Sequence, residues 1–129
     1  MDIEVDVSSP EPAYEQIVRQ IVHAVLTGAL AAGAALPSIR QLADDLELNH
    51  NTVARAYKLL EGEHVIVTAG RKGTFVGHDA ARRIAARTTR DAQFEMERMV
   101  LDLAARGLSA GEIRAAFALA LQALEEKPA

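Results

Sequence analysis

The stretch "PSIRQLADDLELNHNTVARAYKLL", residues 37–60, decides the fold. In its first half, apolar residues recur at the spacing of a one-sided helical stripe: Ile39, Leu42, Ala43 and Leu46. Ser38 precedes this stripe as a predicted N-cap, and Gln41 completes the sequence pattern of a capping box. We therefore predict a short amphipathic helix that begins directly after Ser38.

A second helix is predicted after Asn49, which has the side chain of a good N-cap. One side of this helix should pack into the core through Val53, Ala56, Tyr57 and Leu60. The opposite side presents Asn51, Ala54, Arg55 and Lys58. Two short helices joined by so tight a turn predict a helix-turn-helix.

A β-hairpin is predicted next, because Val65 to Ala69 and Thr74 to Val76 are rich in β-branched residues. The sequence Gly-Arg-Lys-Gly separates the two runs and gives the hairpin a basic tip. A helix-turn-helix followed by a hairpin is a winged helix-turn-helix, in which the second helix enters the DNA major groove N-terminus first.

Segments on the N-terminal side complete this domain. Residues 2–7 alternate polar and apolar side chains, so we interpret them as a small strand. Pro12 lies near the start of a helix predicted from Ala13 to about Leu30.

The remainder of the chain is predicted to be helical. One helix runs from Asp79 to about Arg106 and ends at Gly107, and a Ser109–Glu112 capping box opens the last. We therefore expect a mainly α fold with a small β wing: a DNA-binding domain over residues 1–78 and an α-helical dimerisation region over residues 79–129.

Two faces of the long helix are apolar, and the last helix can cover only one. We expect the Met96–Met99–Leu103 face to pack on the last helix and Phe94 and Leu101 to meet a second copy of the chain, or the reverse. Phe94 packing back on the winged domain is the alternative. The expected dimer residues are Phe94, Met96, Met99, Leu101, Leu103, Ile113, Phe117, Leu121 and Leu124.

Residues that face a major groove must be short and able to form hydrogen bonds, as Asn49, His50, Asn51 and Thr52 are. Basic side chains around them suit phosphate contacts. The predicted DNA-binding residues are Ser38, Arg40, Asn49, His50, Asn51, Thr52, Arg55, Lys58, Gly70, Arg71 and Lys72. Simpler interpretations stay open for each: Asn49 as a cap alone, His50 as an exposed turn residue, Arg55 and Lys58 as a solvated face, and the basic tip as a soluble turn.

The formal net charge of −4 argues against a nucleic-acid binder, but its distribution does not. Residues 1–37 carry five acids and one base, which accounts for the whole −4, whereas residues 38–78 carry five of each. The sequence has no motif of a catalytic site: it has no P-loop ending and no Gly-x-Ser-x-Gly motif, and its four histidines are scattered with no pair at i,i+4 spacing. We therefore expect no enzyme activity, no metal and no cofactor. The chain has no cysteine and no membrane-span-length apolar run, which fits a cytoplasmic protein.

The stretch "LPSIRQLADDLELNHNTVARAYKLLEGEHVIVTAGRKGTFV", residues 36–76, resembles the DNA-binding domain of the GntR family of bacterial transcription regulators. The two-helix tail is similar to that of the small YtrA-type branch. The resemblance implies a homodimeric, sequence-specific regulator, usually a repressor, that binds a two-fold symmetric operator. It implies DNA contacts at Ser38, Arg40, residues 49–52, Arg55 and residues 70–72, and a dimer interface in the tail, which is too small for the effector domain of larger branches. Whether an effector exists stays unknown.

Two residues depart from the family pattern. His50 stands where Pro or Arg is common, so base preference there is expected to differ. His64 stands where Gly usually ends the recognition helix. A left-handed backbone at His64 would bring some strain, and a changed entry angle of the hairpin is the alternative. The alternative function is a winged-helix module that binds protein and no specific DNA.

Overall fold

The computed structural model describes residues 2–126, which contain five α-helices and a three-stranded sheet. The helices are α1 (Ala13–Leu26), α2 (Ile39–Leu46), α3 (His50–Gly62), α4 (Ala80–Ala105) and α5 (Ala110–Glu125). The strands are β1 (Ala35–Leu36), β2 (Ile66–Thr68) and β3 (Thr74–Val76), in the antiparallel order β1-β3-β2. The predicted fold class, mainly α with a small β wing, is confirmed.

The described residues fall into two compact units that divide between Arg87 and Thr88. The first unit has a single apolar core in which α1 and α2 pack on α3. Ile17 and Ile21 of α1 and Val53 of α3 are fully buried there. The first turns of α4 belong to this unit, because Ala80 and Ile84 are buried.

The interpretation of residues 2–7 as a strand is wrong. Their backbone bonds to two glutamine side chains of α1 instead of to another strand: Gln16 Oε1 accepts from Asp6 N at 2.9 Å, and Gln20 Oε1 accepts from Glu4 N at 3.0 Å. The alternation of polar and apolar residues still has a structural cause, because the side chain of Ile3 is buried in the core. We call this pair of bonding side chains, Gln16 and Gln20, the glutamine clamp.

The third strand lies elsewhere, at Ala35–Leu36, where we predicted only a break between helices. Its register pairs Ala35 with Phe75 and Leu36 with Thr74. The first helix also ends earlier than predicted, at Leu26, because Gly28 takes a left-handed conformation with φ of 83°.

The second unit contains the remainder of α4 and the helix α5. Gly107, at φ of 103°, ends α4 as predicted. The Ser109 hydroxyl accepts from Glu112 N at 3.2 Å, and the Glu112 carboxylate accepts from Ser109 N at 3.0 Å. This predicted capping box is therefore formed in full, and the Ser109 backbone N–H that donates to the carboxylate is the main cause that holds the pKa of Glu112 below its ordinary value.

Candidate nucleic-acid interface

Helix α3 has a buried side and an exposed side, as its sequence predicts. Val53, Ala56, Tyr57 and Leu60 are buried. Asn51, Arg55 and Lys58, which lie four and three residues apart, form an exposed stripe on the opposite side. The Tyr57 hydroxyl donates to the Pro37 carbonyl at 2.7 Å, and burial raises the pKa of Tyr57 to about 12. This bond ties α3 to the segment just before α2.

The N-terminus of α3 is capped by Asn49, whose Oδ1 accepts from Asn51 N at 2.8 Å. This confirms the predicted cap, and the Asn49 side-chain amide still has its N–H donors. The turn before it depends on Glu47, which takes a left-handed conformation with φ of 55°. The turn is short, since α3 begins three residues after Glu47. The first three residues of α3 are exposed or half-buried.

His50 is the first residue of α3 and is exposed. Its Nε2 lies 3.3 Å from Asp44 Oδ1 of α2. This contact joins the two helices of the helix-turn-helix at the exposed end of α3. Thr52, two residues later, is half-buried.

Helix α2 begins with Ser38 as its N-cap, and the Ser38 hydroxyl accepts from Gln41 N at 3.1 Å. Of the two bonds of the predicted capping box, the structure contains this one. Arg40, the second residue of α2, is exposed. The Ser38 oxygen therefore already has a structural role, whereas Arg40 is directed to solvent.

The predicted hairpin is formed by β2 and β3, which pair from Ile66 with Val76 to Thr68 with Thr74. Its tip is a short 3-10 turn over Gly70–Lys72, and Arg71 and Lys72 are exposed. Gly70 takes a positive φ of 56°. Thr68 Oγ1 lies 3.3 Å from Glu61 Oε2, so a hydrogen bond joins the hairpin to α3.

His64, between α3 and the hairpin, has φ of 61°. Of the two alternatives that the sequence left open, His64 takes the left-handed backbone, at a position that favours glycine. The chain turns there so that Val65 N can donate to Leu60 O at 2.9 Å, a pattern typical of helix ends.

A cleft of about 400 Å³ brings part of the predicted site together. It lies between the start of α2, the exposed side of α3 and the hairpin. Three predicted site residues line it: Ser38, Lys58 and Gly70. The other predicted residues lie outside this cleft, at the N-terminal ends of α2 and α3, on the exposed stripe and at the hairpin tip.

One contact of the site was not predicted from the sequence. The Arg55 guanidinium carbon lies 3.8 Å from the centroid of the Tyr14 ring, which belongs to the first turn of α1. Because 40 residues lie between Tyr14 and Arg55 in the chain, no local spacing signals this contact.

Ion pairs separate the basic residues of the first unit into two groups. Within residues 2–87, four arginines have carboxylate partners: Arg19 with Glu11, Arg82 and Arg83 with Asp79, and Arg87 with Glu63. Among those same residues, the five bases without an ion-pair partner are the five predicted for DNA contact: Arg40, Arg55, Lys58, Arg71 and Lys72.

The apolar faces of α4 and α5 are largely exposed. Phe94 and Met99 are each 62% exposed and Leu101 is 70% exposed. We expected α5 to cover the face of α4 that contains Met96 and Met99. In a single copy of the chain this expectation is wrong, because Met96 is exposed as Met99 is. Leu103 and Ile113, close to the connection between the helices, are half-buried.

Residues 2–126 contain no cluster of His, Asp or Glu side chains that could hold a metal ion. None of the helices in that range is both long and apolar enough to cross a bilayer.

Comparison with known proteins agrees with this geometry. The family described as "Bacterial regulatory proteins, gntR family" matches residues 13–76. The chain is 42% identical to the HTH-type transcriptional regulator Rv1152 of Mycobacterium tuberculosis, over 66% of this chain and 74% of that protein. It is 34% identical to the HTH-type transcriptional repressor YtrA of Bacillus subtilis, over 78% of this chain and 77% of that one. The chain belongs to the GntR family.

Solved structures extend the similarity beyond the matched domain. A transcriptional regulator from Oenococcus oeni is 32% identical with a TM-score of 0.70, over 91% of this chain and 97% of that one. YtrA from Sulfolobus acidocaldarius, a GntR-family transcription factor, is 35% identical with a TM-score of 0.56, over 70% and 96%. This GntR-family chain is a DNA-binding transcription regulator with a winged helix-turn-helix and YtrA-type relatives. Those relatives are named as regulators of transcription and not as enzymes.

Proposed function

We propose that this regulator represses transcription by binding, as a homodimer, an operator with two-fold symmetry. The observation that carries the proposal is the division of the basic residues. Within residues 2–87, the cations of α2, α3 and the hairpin tip lack carboxylate partners, whereas the remaining arginines are paired. Unpaired cations can bind phosphate without first breaking an internal ion pair.

The first turn of α3 is proposed to read base edges. Asn51 and His50 are exposed there, and Asn49 keeps its amide donors while its oxygen caps the helix. An Asn side chain can bond adenine through two hydrogen bonds, and the Thr52 methyl group can meet a thymine methyl. The free N–H groups at this helix end also favour a nearby phosphate.

The bases around this turn are proposed to position the protein on the DNA backbone. Arg55 and Lys58 continue the exposed stripe along α3, and Arg40 lies at the start of α2. Arg71 and Lys72 at the hairpin tip suit phosphates or the minor groove, where Gly70 allows the backbone to come close. Ser38 lines the same cleft as Lys58 and Gly70, and its hydroxyl, whose oxygen accepts from Gln41 N, keeps an O–H donor that a phosphate can accept from.

The second unit is proposed to supply the dimer interface. Apolar faces this exposed usually mark an interface, and a second copy of the chain is the partner that an operator with two-fold symmetry requires. The proposed contacts are Phe94, Met96, Met99, Leu101, Leu103, Ile113, Phe117, Leu121 and Leu124. Two recognition helices would then read half-sites about 34 Å apart. As a repressor of bacterial genes, the protein would act in the cytoplasm.

Repression is proposed because the Bacillus subtilis relative is named a repressor. Fragments of the source genome that bind the chain should be selected first and then placed upstream of a reporter gene. Expression of the chain should lower reporter output. Unchanged or higher output from every bound fragment would contradict repression.

Base reading and phosphate contact are separated by two substitutions. Arg55→Ala should weaken binding to every duplex and reduce the salt dependence of the binding constant by about one unit of slope. Asn51→Ala should weaken binding to the selected fragment more than to a scrambled duplex. Arg19→Ala is the matched control, because it removes the same charge from a paired arginine of α1. Equal losses for Arg19→Ala and Arg55→Ala would contradict the assigned interface.

The dimer is tested by sedimentation of two leucine variants. Leu101→Arg places a charge on the exposed face of α4, whereas Leu26→Arg makes the same change at an exposed leucine of α1. The wild type and Leu26→Arg should sediment as dimers, and Leu101→Arg should shift towards the monomer. A monomeric wild type at micromolar concentration would overturn the proposed assembly.

The alternative is a winged-helix module in which the exposed side of α3 binds a protein. Its only support here is the net charge of −4. DNA binding through phosphates must weaken steeply as salt rises. Failure to bind any pooled genomic fragment at low salt would favour the protein-binding alternative.

A further inference from the structure

Tyr14 of α1 lies against a side chain of the proposed DNA interface. The Arg55 guanidinium carbon lies 3.8 Å from the centroid of the Tyr14 ring, well inside the distance at which a cation is attracted to an aromatic face. Tyr14 is half-buried and packs against the core, while Arg55 is exposed on α3. A fixed aromatic surface therefore supports a side chain that would otherwise move freely in solvent.

The contact leaves the hydrogen-bonding edge of Arg55 available. A guanidinium has five N–H donors in its plane, and an aromatic ring stacked on its face does not occupy them. Within residues 2–126, Arg55 has neither a carboxylate partner nor a side-chain hydrogen bond. The donors are thus free for a phosphate oxygen.

The hydroxyl of Tyr14 has a different partner. It donates to Glu15 Oε1 at 3.1 Å, so it is occupied within α1. The part of Tyr14 that acts on Arg55 is the ring, and a phenylalanine offers the same surface.

We propose that Tyr14 is a positioning residue for DNA binding, whose ring holds the Arg55 guanidinium ready for a phosphate of the DNA backbone. An arginine already restrained in a suitable conformation loses less freedom on binding than an unrestrained one. The inference rests on the proposed role of Arg55 as a phosphate contact.

The test is a double-mutant cycle with a fluorescein-labelled duplex selected by the wild-type chain, followed by fluorescence anisotropy. Tyr14→Leu should weaken binding about two- to five-fold, the range for an exposed cation–π contact. Tyr14→Phe should bind as the wild type does. In an Arg55→Ala background, Tyr14→Leu should have no further effect.

Two results separate this inference from the proposed function. If Arg55→Ala binds as well as the wild type, the proposed phosphate contact and this inference both fail. If Arg55→Ala weakens binding but Tyr14→Leu does not, or weakens it equally in both backgrounds, only the inference fails.

A measurement without DNA guards against a folding defect in Tyr14→Leu. In NMR spectra, the side-chain protons of Arg55 should show ring-current shifts in the wild type and in Tyr14→Phe, and lose them in Tyr14→Leu. Tyr14→Leu spectra that otherwise match the wild type establish that the chain is folded. An Arg55 signal that does not differ between Tyr14→Phe and Tyr14→Leu would overturn the proposal.

Discussion

Gly77, directly after β3, is a position where a single methyl group should destabilise the first unit strongly. A Cβ added there would lie 2.7 Å from the His64 carbonyl oxygen, and real Cβ atoms essentially never come within 3.0 Å of such an atom. The neighbouring backbone is held in place, because Gly77 N donates to Val65 O and Val65 N donates to Leu60 O, both at 2.9 Å. The overlap can be relieved only by moving this backbone or by breaking one of the bonds.

Overpacking of this kind costs about 1 to 3 kcal/mol of unfolding free energy. For a chain of 129 residues, an unfolding entropy of about 2.1 cal/mol/K per residue converts that loss into a Tm lower by about 4 to 11 °C. Circular dichroism measures the Tm of Gly77→Ala, at the same concentration as the wild type because the proposed dimer would make Tm depend on concentration.

Gly62→Ala is the matched control, since Gly62 is the last residue of α3 and its added Cβ would have no atom within 4 Å. Alanine is a better helix former than glycine, so this variant should be unchanged or more stable by up to about 1 kcal/mol. A Gly77→Ala chain as stable as Gly62→Ala would refute the argument, because it would mean that the backbone at His64 and Val65 moves at no cost.

Three further predictions concern the core and the backbone. Gln16 is 4% exposed, and its side chain accepts from Asp6 N and donates to Asp6 O and Glu11 O. Gln16→Ala should therefore lower the free energy of unfolding, measured in urea, by about 2 to 4 kcal/mol. Gln20→Ala should lower it by about half of that or less. Tyr57→Phe should lose about 1 kcal/mol at neutral pH, because it removes the bond to the Pro37 carbonyl. Folding raises the pKa of Tyr57 to about 12 from an ordinary value of about 10. The protonated Tyr57 therefore contributes fully to stability below about pH 10, and this contribution is lost as the pH rises towards 12. Unfolding curves of Tyr57→Phe should not show this pH-dependent loss of stability. His64→Gly should raise the unfolding free energy by about 1 kcal/mol, because relief of the left-handed backbone exceeds the added freedom of the unfolded chain; a less stable His64→Gly would contradict strain at this position.

Features set by local sequence could be predicted for this chain. The caps at Ser38, Asn49 and Ser109 and the two sides of α3 follow from residue spacing, and all are present. At His64 the family pattern identified the unusual position, and the structure decides between the two alternatives in favour of a left-handed backbone, which a helix end of this type needs.

Features set by distant partners could not be predicted. Strand β1 has two residues, too few to show any period, and exists because β3 pairs with it. Residues 2–7 have the alternation of a strand, yet the glutamine clamp bonds their backbone, and no pattern in α1 distinguishes a clamping glutamine from a solvated one. The contact of Tyr14 with Arg55 is equally invisible until α1 packs on α3.

The net charge also misleads when it is taken as a single number. Two of the five acids of the N-terminal quarter are engaged within their own segment: the Arg19 guanidinium holds the pKa of Glu11 below its ordinary value, and the Ser8 hydroxyl does the same for Asp6. Both carboxylates therefore stay charged at neutral pH, and residues 1–37 account for the whole net charge of −4. An acidic body weakens the non-specific attraction that phosphate contacts give to every sequence, and it leaves short-range contacts at α3 to decide binding. If the chain binds a specific operator, as proposed, the ratio of its specific to its non-specific affinity matters more than either affinity alone. A net charge of −4 is therefore physically consistent with selective DNA binding when five bases without ion-pair partners lie on α2, α3 and the hairpin tip.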